Sequence, residues 1–355
     1  MARKAQNMVK YIFKRIMYFF PTLILVLLFI WFIGRFLLID PVLVKMGSLF
    51  NPDIIEAEKE RLGYNDPLYI QIGKYLLSFF TGDWGKSYIL LNGRPILDVI
   101  AEIFPKTIEL VIFPILIVPF IAVKLGIVST KHKDKPKDTF VRGFAILGTA
   151  FPIFWIAILL QIFVGRIIED FTYGMLNLSV LGPNSSGLNY PAPSGSFRTG
   201  FRIIDSILYN DQLYLQDTLL HLILPTICIT IVSLASITRQ TRASMLEVMQ
   251  QDYIRTARAK GVEENDVLSK HALRNALIPT SNLIIGGIAA SLTGSLLLEM
   301  AFNYTGMGYW MVQAIYVNDY LLISGLLVFS SIIILSGILL ADVMYTVIDP
   351  RIIYN

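Results

Sequence analysis

Tyr253-Ile-Arg-Thr-Ala-Arg-Ala-Lys-Gly261, continued from Val262 to Pro279, decides how the rest of the chain reads. It is a polar, helix-prone run set between two long apolar segments. Ala257, Ala259 and the Arg and Lys residues beside them are good helix formers, and Gly261 is a natural helix stop. A second helical pattern follows, with Leu268, Ala272 and Ala276 on one face at i, i+4 spacing and Leu273 and Leu277 beside them. Pro279 then marks entry to the next apolar run. The stretch predicts a short helix, a glycine break and a second helix, held at a membrane surface.

Composition agrees with that placement. Of 355 residues, 55% are hydrophobic and 16% charged, with mean hydropathy +0.62. A soluble domain carries about 25% charged residues, and several apolar runs here approach the ~20 residues that a membrane helix needs. The chain therefore reads as an all-α polytopic membrane protein. Net charge is a modest +4, so its distribution matters more than its sum. The single cysteine, Cys228, lies in an apolar run, which excludes an intrachain disulfide and suits a small packing residue.

Six spans are expected, over residues 16–38, 107–129, 140–164, 218–237, 278–298 and 320–347. The first follows Arg3, Lys4, Lys10, Lys14 and Arg15. It is longer than the ~7–15-residue core of a signal peptide and lacks a small-residue cleavage site, so it reads as an uncleaved span. Lys131, Lys133, Lys135 and Lys137 crowd the short loop after the second span, Arg239 and Arg242 mark the inner end of the fourth, and the 253–274 loop adds five more cations. Such clusters belong in the cytoplasm, which puts both termini there. Residues 39–106 and 166–217 then form outer regions, the latter an irregular insert around Pro191, Pro193 and Gly195. The first is expected to hold a short helix within 51–67 that ends at glycine. The chain divides into 1–38, 39–106 and a 107–355 core that carries the cytoplasmic loop 239–277.

Chemistry is sparse. Gly85-Lys86-Ser87 ends like a phosphate-binding loop, but such a loop needs a glycine five residues earlier, where Phe80 stands. His132, His221 and His271 sit in separate segments, and no metal-ligand or nucleophile pattern surrounds them. No cofactor, metal or catalytic residue is assigned, and scattered basic residues give no nucleic-acid footprint. Asp342 lies inside the sixth span, where a carboxylate either faces a water-filled path or, the favoured expectation, pairs with a basic group. Glu109 begins the second span and Glu299 ends the fifth; the plain reading is that both reach the interface, and Glu299 stands with Asp342 as a candidate pore or packing residue. Gly286, Gly287, Gly325 and Gly337 permit close helix approach, either within the chain or against a second subunit.

Ala257-Arg-Ala-Lys-Gly261 followed by His271-Ala-Leu-Arg-Asn275-Ala-Leu-Ile-Pro279 resembles the cytoplasmic EAA loop of ABC importer permeases, in the version of the dipeptide/oligopeptide/nickel family. Gly82-Asp-Trp-Gly-Lys-Ser87, Pro105-Lys-Thr-Ile-Glu-Leu110, Tyr190-Pro-Ala-Pro-Ser-Gly195 and the terminal Asp349-Pro-Arg351 resemble other elements of it. Glu299-Met-Ala-Phe-Asn-Tyr-Thr-Gly-Met-Gly308 is similar to the family's Glu-x-x-Phe-x-x-Pro-Gly-x-Gly, with Thr305 in place of proline and so a less rigid outer loop expected. The resemblance covers nearly the whole chain and is weakest over 138–217. It implies a type I importer permease fold with a second homologous permease, two ABC ATPase subunits and an extracellular substrate-binding protein as partners in a prokaryotic membrane. It gives Arg255, Ala257, Arg258, Ala259, Lys260, Gly261, His271, Arg274 and Asn275 to the ATPase-coupling loop, and makes peptides the expected cargo, with nickel or oligosaccharides as alternatives inside the family. An ion-coupled secondary transporter would have no reason to keep that loop, and a membrane scaffold would show no ligand-dependent flux. The sequence also lacks the run of intramembrane carboxylates that suits a proton relay.

Overall fold

The computed structural model describes residues 2–36, 56–57, 59–60, 63–174, 181–185, 187–193 and 196–348. Among the described residues, five helices are long and apolar enough to cross a membrane, and a sixth span is present if one sharply bent pair counts as one. Helix α1 (Ala2–Phe36) leads to α2 (Leu68–Thr81), which Gly82 closes at φ 80°. A two-stranded antiparallel ladder follows, β1 (Lys86–Ser87) against β2 (Arg94–Pro95). Ser87 is buried there and donates to Asp319 at 2.5 Å, which leaves no phosphate cradle at Gly85-Lys86-Ser87. The helix expected within 51–67 lies mostly outside the described residues, although Gly63 does turn the chain at φ 73°. The Asp349-Pro-Arg351 terminus lies wholly outside them.

Two helices are longer than the sequence suggests. Helix α3 (Ile96–Lys131) has 36 residues and carries Pro105, Pro114 and Pro119 without breaking. At 1.5 Å per residue it is about 54 Å long against a hydrocarbon core of ~30 Å, and it begins at Ile96, well before the expected span 107–129, but ends at Lys131, close to where that span does. Helix α8 (Gln212–Val248) has 37 residues and runs on past Arg239 and Arg242, which therefore mark no helix end. The two lie parallel along much of their lengths. Gly126 allows the approach, because a Cβ there would stand 2.6 Å from the Thr241 side chain.

The expected third span is not a single rod. Helix α4 (Pro136–Ala150) ends at Phe151, and the chain bends by 103° before α5 (Ile153–Leu159). Pro152 is the cause: it disfavours the helical region for the residue before it, and Phe151 is extended at φ −102°, ψ 141°. A π-turn over Leu160–Gly165 joins α5 to α6 (Arg166–Phe171). Short α7 (Arg202–Leu208) then precedes α8.

After α8 come α9 (Asp252–Ala259), a single turn α10 (Glu264–Asp266), a π-turn over Val267–Ala272 and α11 (Leu273–Leu292). Pro279 sits inside α11 rather than at its start. The expected fifth span stops early, at Leu292, because Gly294 turns the chain at φ 94°. Glu299 is thus not at a span end; it lies on a separate short helix α12 (Leu296–Ala301), packed inside the bundle. Helix α13 (Met307–Val317) and the last span α14 (Tyr320–Ile348) complete the chain.

The ends of the bundle are tied differently. In α14, Asp342 meets Arg15 of α1 at 3.1 Å, the basic pairing favoured for it. Gly325 packs on Ile96 and Gly337 on Ala289, so both serve contacts within the chain. A Cβ at Gly286 or Gly287 would meet nothing within 4 Å, which leaves that face of α11 open.

Candidate functional site

The 252–273 loop is built on an apolar base. Ile254 and Ala257 on α9 are buried against Met245 of α8, Val267, Leu268 and Ala272 of the π-turn, and Ala276 of α11. The i, i+4 face of Leu268, Ala272 and Ala276 therefore points inward, as the spacing predicts. Gly261 closes α9 at φ 78°; its N–H donates to the Arg258 carbonyl at 2.9 Å and the Val262 N–H to the Ala257 carbonyl at 3.3 Å. Among the described residues, its two chain neighbours aside, nothing lies within 4 Å of where a Gly261 Cβ would point, so the glycine supplies backbone geometry and opens outward.

The opposite face is exposed. Arg255, Arg258, Ala259, Lys260, Gly261, His271, Arg274 and Asn275 all face out, and only Ala257 among the expected coupling residues is turned into the core. Ala257 is thus a packing residue. Arg258 grips Glu264 through two bonds, at 2.7 and 3.0 Å, across the glycine turn. Asn275 donates to the Tyr253 hydroxyl at 2.6 Å, which ties α11 back to α9. The loop also reaches α3, where Lys131 donates to Asn265 at 2.6 Å. Beside it, Arg242 forks onto Asp138 at 2.8 and 2.9 Å, and Ser129 donates to the same buried carboxylate. The loop is thus in contact with α3, α8 and α11.

The other end holds polar groups that the sequence reading left at an interface. Glu109 and Glu299 are both buried. Glu109 accepts from Arg202 Nε at 3.1 Å and from the Ile203 N–H at 2.8 Å, and Arg202 also donates to the Tyr304 hydroxyl and stacks over its ring at 5.0 Å. Burial lowers the Arg202 pKa, but Tyr304 and Glu109 more than offset it, so the guanidinium stays charged. Glu299 accepts from the Tyr309 N–H at 3.0 Å and Thr107 at 3.3 Å, and Thr107 in turn accepts from the Met307 N–H at 2.8 Å. The segment expected as an outer loop is thus a packed element pinned to α3. Arg202, Tyr304, Asp138 and Ser129 were not singled out from sequence. Their partners lie up to 113 residues away, so no local spacing signals them.

The 166–217 insert is held by similar clasps. Asp217 accepts from Ser185 through both its N–H and hydroxyl, at 2.8 and 2.6 Å. Tyr190 donates to Asp205 at 2.5 Å. Burial pushes the Asp205 carboxyl up, yet this bond and those from Thr199 outweigh it and hold it below the usual carboxylate range. Among the described residues, no group of three or more His, Cys, Asp or Glu side chains could hold a metal ion. A small cavity of about 40 Å³ between α3, α8 and α11 is lined by Pro114, Pro119, Ser233 and Gly287, on the open face of α11.

Comparisons with known proteins fit this geometry. The family model for binding-protein-dependent transport system inner membrane components matches residues 122–354, and the model for the N-terminal part of such components matches 8–111. The chain is 32% identical over 351 residues to the oligopeptide transport system permease protein AppB of Bacillus subtilis, covering 98% of this chain and all of the relative. It is 35% identical over 349 residues to the dipeptide transport system permease protein DppB of Alkalihalophilus pseudofirmus, again 98% of this chain and all of the relative. The probable D,D-dipeptide transport system permease protein DdpB of Escherichia coli is 33% identical over 314 residues, 88% of each chain.

Proposed function

The chain belongs to the family of binding-protein-dependent transport system inner membrane components, and on that premise we propose that it is a peptide-importing permease subunit whose 252–273 loop docks an ABC ATPase. As such it works in a transporter complex with other subunits. Its partners are a second, homologous permease that completes the translocation path, two ATPase subunits, and an extracellular substrate-binding protein. Peptides are the cargo by analogy with the names of the relatives. The observation that carries the reading is the two-faced loop, apolar beneath and exposed above, with Gly261 at positive φ between its helices.

The work of the chain is mechanical. Closure of the ATPases on nucleotide pushes the exposed face of α9. Ile254 and Ala257 pass that push to Met245 on α8 and Ala276 on α11. The bundle then rocks between inward- and outward-open states that the partners stabilise differently. In a reconstituted assembly, uptake of a short peptide should require all the subunits and ATP. The isolated chain should neither bind nor hydrolyse nucleotide. Specific stoichiometric ATP binding by the isolated chain, or uptake by it alone down an ion gradient, would contradict the proposal.

Orientation has its own test. The Lys/Arg clusters at 131–137 and in the 252–273 loop sit at the same end of the bundle, joined through Lys131 and Asn265. We place that end, with both termini, in the cytoplasm. Native Cys228 is buried and gives little background labelling. In intact cells an impermeant thiol reagent should label Tyr173→Cys but not Lys133→Cys. Labelling of position 133 from outside would reverse the orientation.

A further inference from the structure

A cavity of about 430 Å³ lies away from the coupling loop, between α1, α2 and α14. That is within the ~300–1,000 Å³ typical of ligand sites. Part of its wall is aromatic, with Trp31, Tyr75, Phe79, Trp84 and Tyr320, and Phe79 stacks on Trp84 at 5.5 Å. One cation stands in it without a carboxylate partner among the described residues. Arg35 is held only by neutral acceptors, Gln71 Oε1 and the Tyr64 carbonyl, each at 3.2 Å, with the Tyr64 ring 5.0 Å away. Lys74, also on the wall, is already paired with Asp66 at 2.6 Å. Deeper in, the Tyr75 hydroxyl is buried and has no partner in hydrogen-bonding geometry, although Ser324 is near. A buried hydroxyl without a partner costs about 1–3 kcal/mol, so an acceptor there is favoured.

Helix α2 says what surrounds the cavity. Its three faces differ. Tyr75, Leu76 and Phe79 pack on the α1–α14 core, and Gln71, Lys74 and Ser78 border the cavity. Tyr69, Leu77 and Phe80 are 75%, 65% and 59% exposed. On α1, a helix apolar enough to span the membrane, Phe29, Phe32 and Phe36 are exposed as well. A short helix with an exposed apolar face, packed beside such a span, is suited to lie in the plane of the interface. In that setting lipid is the solvent nearest the cavity.

We propose that this cavity binds one glycerophospholipid from the leaflet on which α2 lies, with its phosphate at Arg35, an acceptor oxygen toward Tyr75, and an acyl chain among the aromatic rings. A free phosphate would leave the rings unused, and a neutral hydrocarbon would leave Arg35 and Tyr75 unanswered. The site is independent of the ATPase-docking reading and of the orientation of the chain.

The test uses the full assembly, extracted in mild detergent into nanodiscs of defined phospholipid. A photoreactive benzoylphenylalanine at position 78 should yield a protein adduct heavier by one phospholipid. Native mass spectrometry should find one tightly held phospholipid per chain, resistant to a detergent wash. Arg35→Gln removes a charged hydrogen bond and should lower retention at least about tenfold. Ser324→Phe fills the cavity from α14 and should abolish retention. Reactivity of buried Cys228 toward a thiol dye on heating shows whether each variant is still folded. A crosslink only to protein, whether this chain or another subunit, would overturn the proposal. So would retention by folded Ser324→Phe equal to that of the parent, or displacement of the lipid by inorganic phosphate alone with no effect of Ser324→Phe.

Discussion

Replacing Arg202 by Met should destabilise the folded chain by about 3–5 kcal/mol, the cost of stranding one partner of a buried ion pair. Arg202 and Glu109 are 1% and 3% exposed, and the change leaves the Glu109 carboxylate with only the Ile203 N–H among its present donors. The Tyr304 hydroxyl loses its donor as well. The double variant Arg202→Met with Glu109→Leu should recover part of the loss, since an apolar pair of similar volume replaces a buried ion pair at little cost. Recovery stays partial because Tyr304 is still deprived. Cys228 is the only cysteine and is fully buried, so a thiol-reactive dye in a detergent thermal ramp reports unfolding directly. If Arg202→Met unfolds at the parent temperature, the pair contributes nothing and the outer end is held by other contacts.

Gly261→Leu should cut transport severely while the chain still inserts and pairs with its sister permease. At φ 78°, any residue with a Cβ is strained by about 1–2 kcal/mol. Within the chain that added Cβ meets nothing, so the substitution creates no clash with the bundle. Its bulk instead projects from the exposed face, where a docking partner would approach. We expect uptake to fall at least about tenfold, equivalent to ~1.4 kcal/mol of lost docking. Contact with one ATPase should weaken while the other still binds. Gly261→Ala carries the strain but little bulk and should fall between parent and Leu. Reversing Arg258 should do less, because its pair with Glu264 is exposed and such pairs are worth about 0–1 kcal/mol. Co-purification of the assembly with uptake in vesicles separates these outcomes; normal uptake with both ATPases retained for Gly261→Leu would remove the loop from the mechanism.

The parts legible in the sequence were those written locally. Gly261 stops a helix at positive φ, and the four-residue spacing of Leu268, Ala272 and Ala276 marks a buried face, because both follow from backbone geometry over a few residues. The apolar runs located the spans but not their ends. Helices α3 and α8 continue well into polar sequence, since their protruding turns pack on one another and on short neighbours, which no hydropathy window registers. The third span was expected as one run over 140–164, whereas the chain bends at Pro152, although Pro105, Pro114 and Pro119 leave α3 unbroken. Glu109 and Glu299 read as interfacial because each sits near the end of an apolar run. Their burial depends on Arg202 and Thr107, contributed from 93 and 192 residues away. Ala257 and Ala259 both read as members of the coupling loop, and only their facing on α9, one buried and one exposed, separates them.

That facing offers the most direct test of the 252–273 loop as the ATPase-docking element. Ala259 is exposed and Ala257 buried on the same short helix. A photocrosslinking residue should be placed at each position in turn, in the assembled transporter, with and without nucleotide. We expect position 259 to capture an ATPase subunit in a yield that changes with nucleotide, and position 257 to capture only neighbouring residues of its own chain. Capture of an ATPase elsewhere on the molecule, with none at 259 in any nucleotide state, would contradict the central claim.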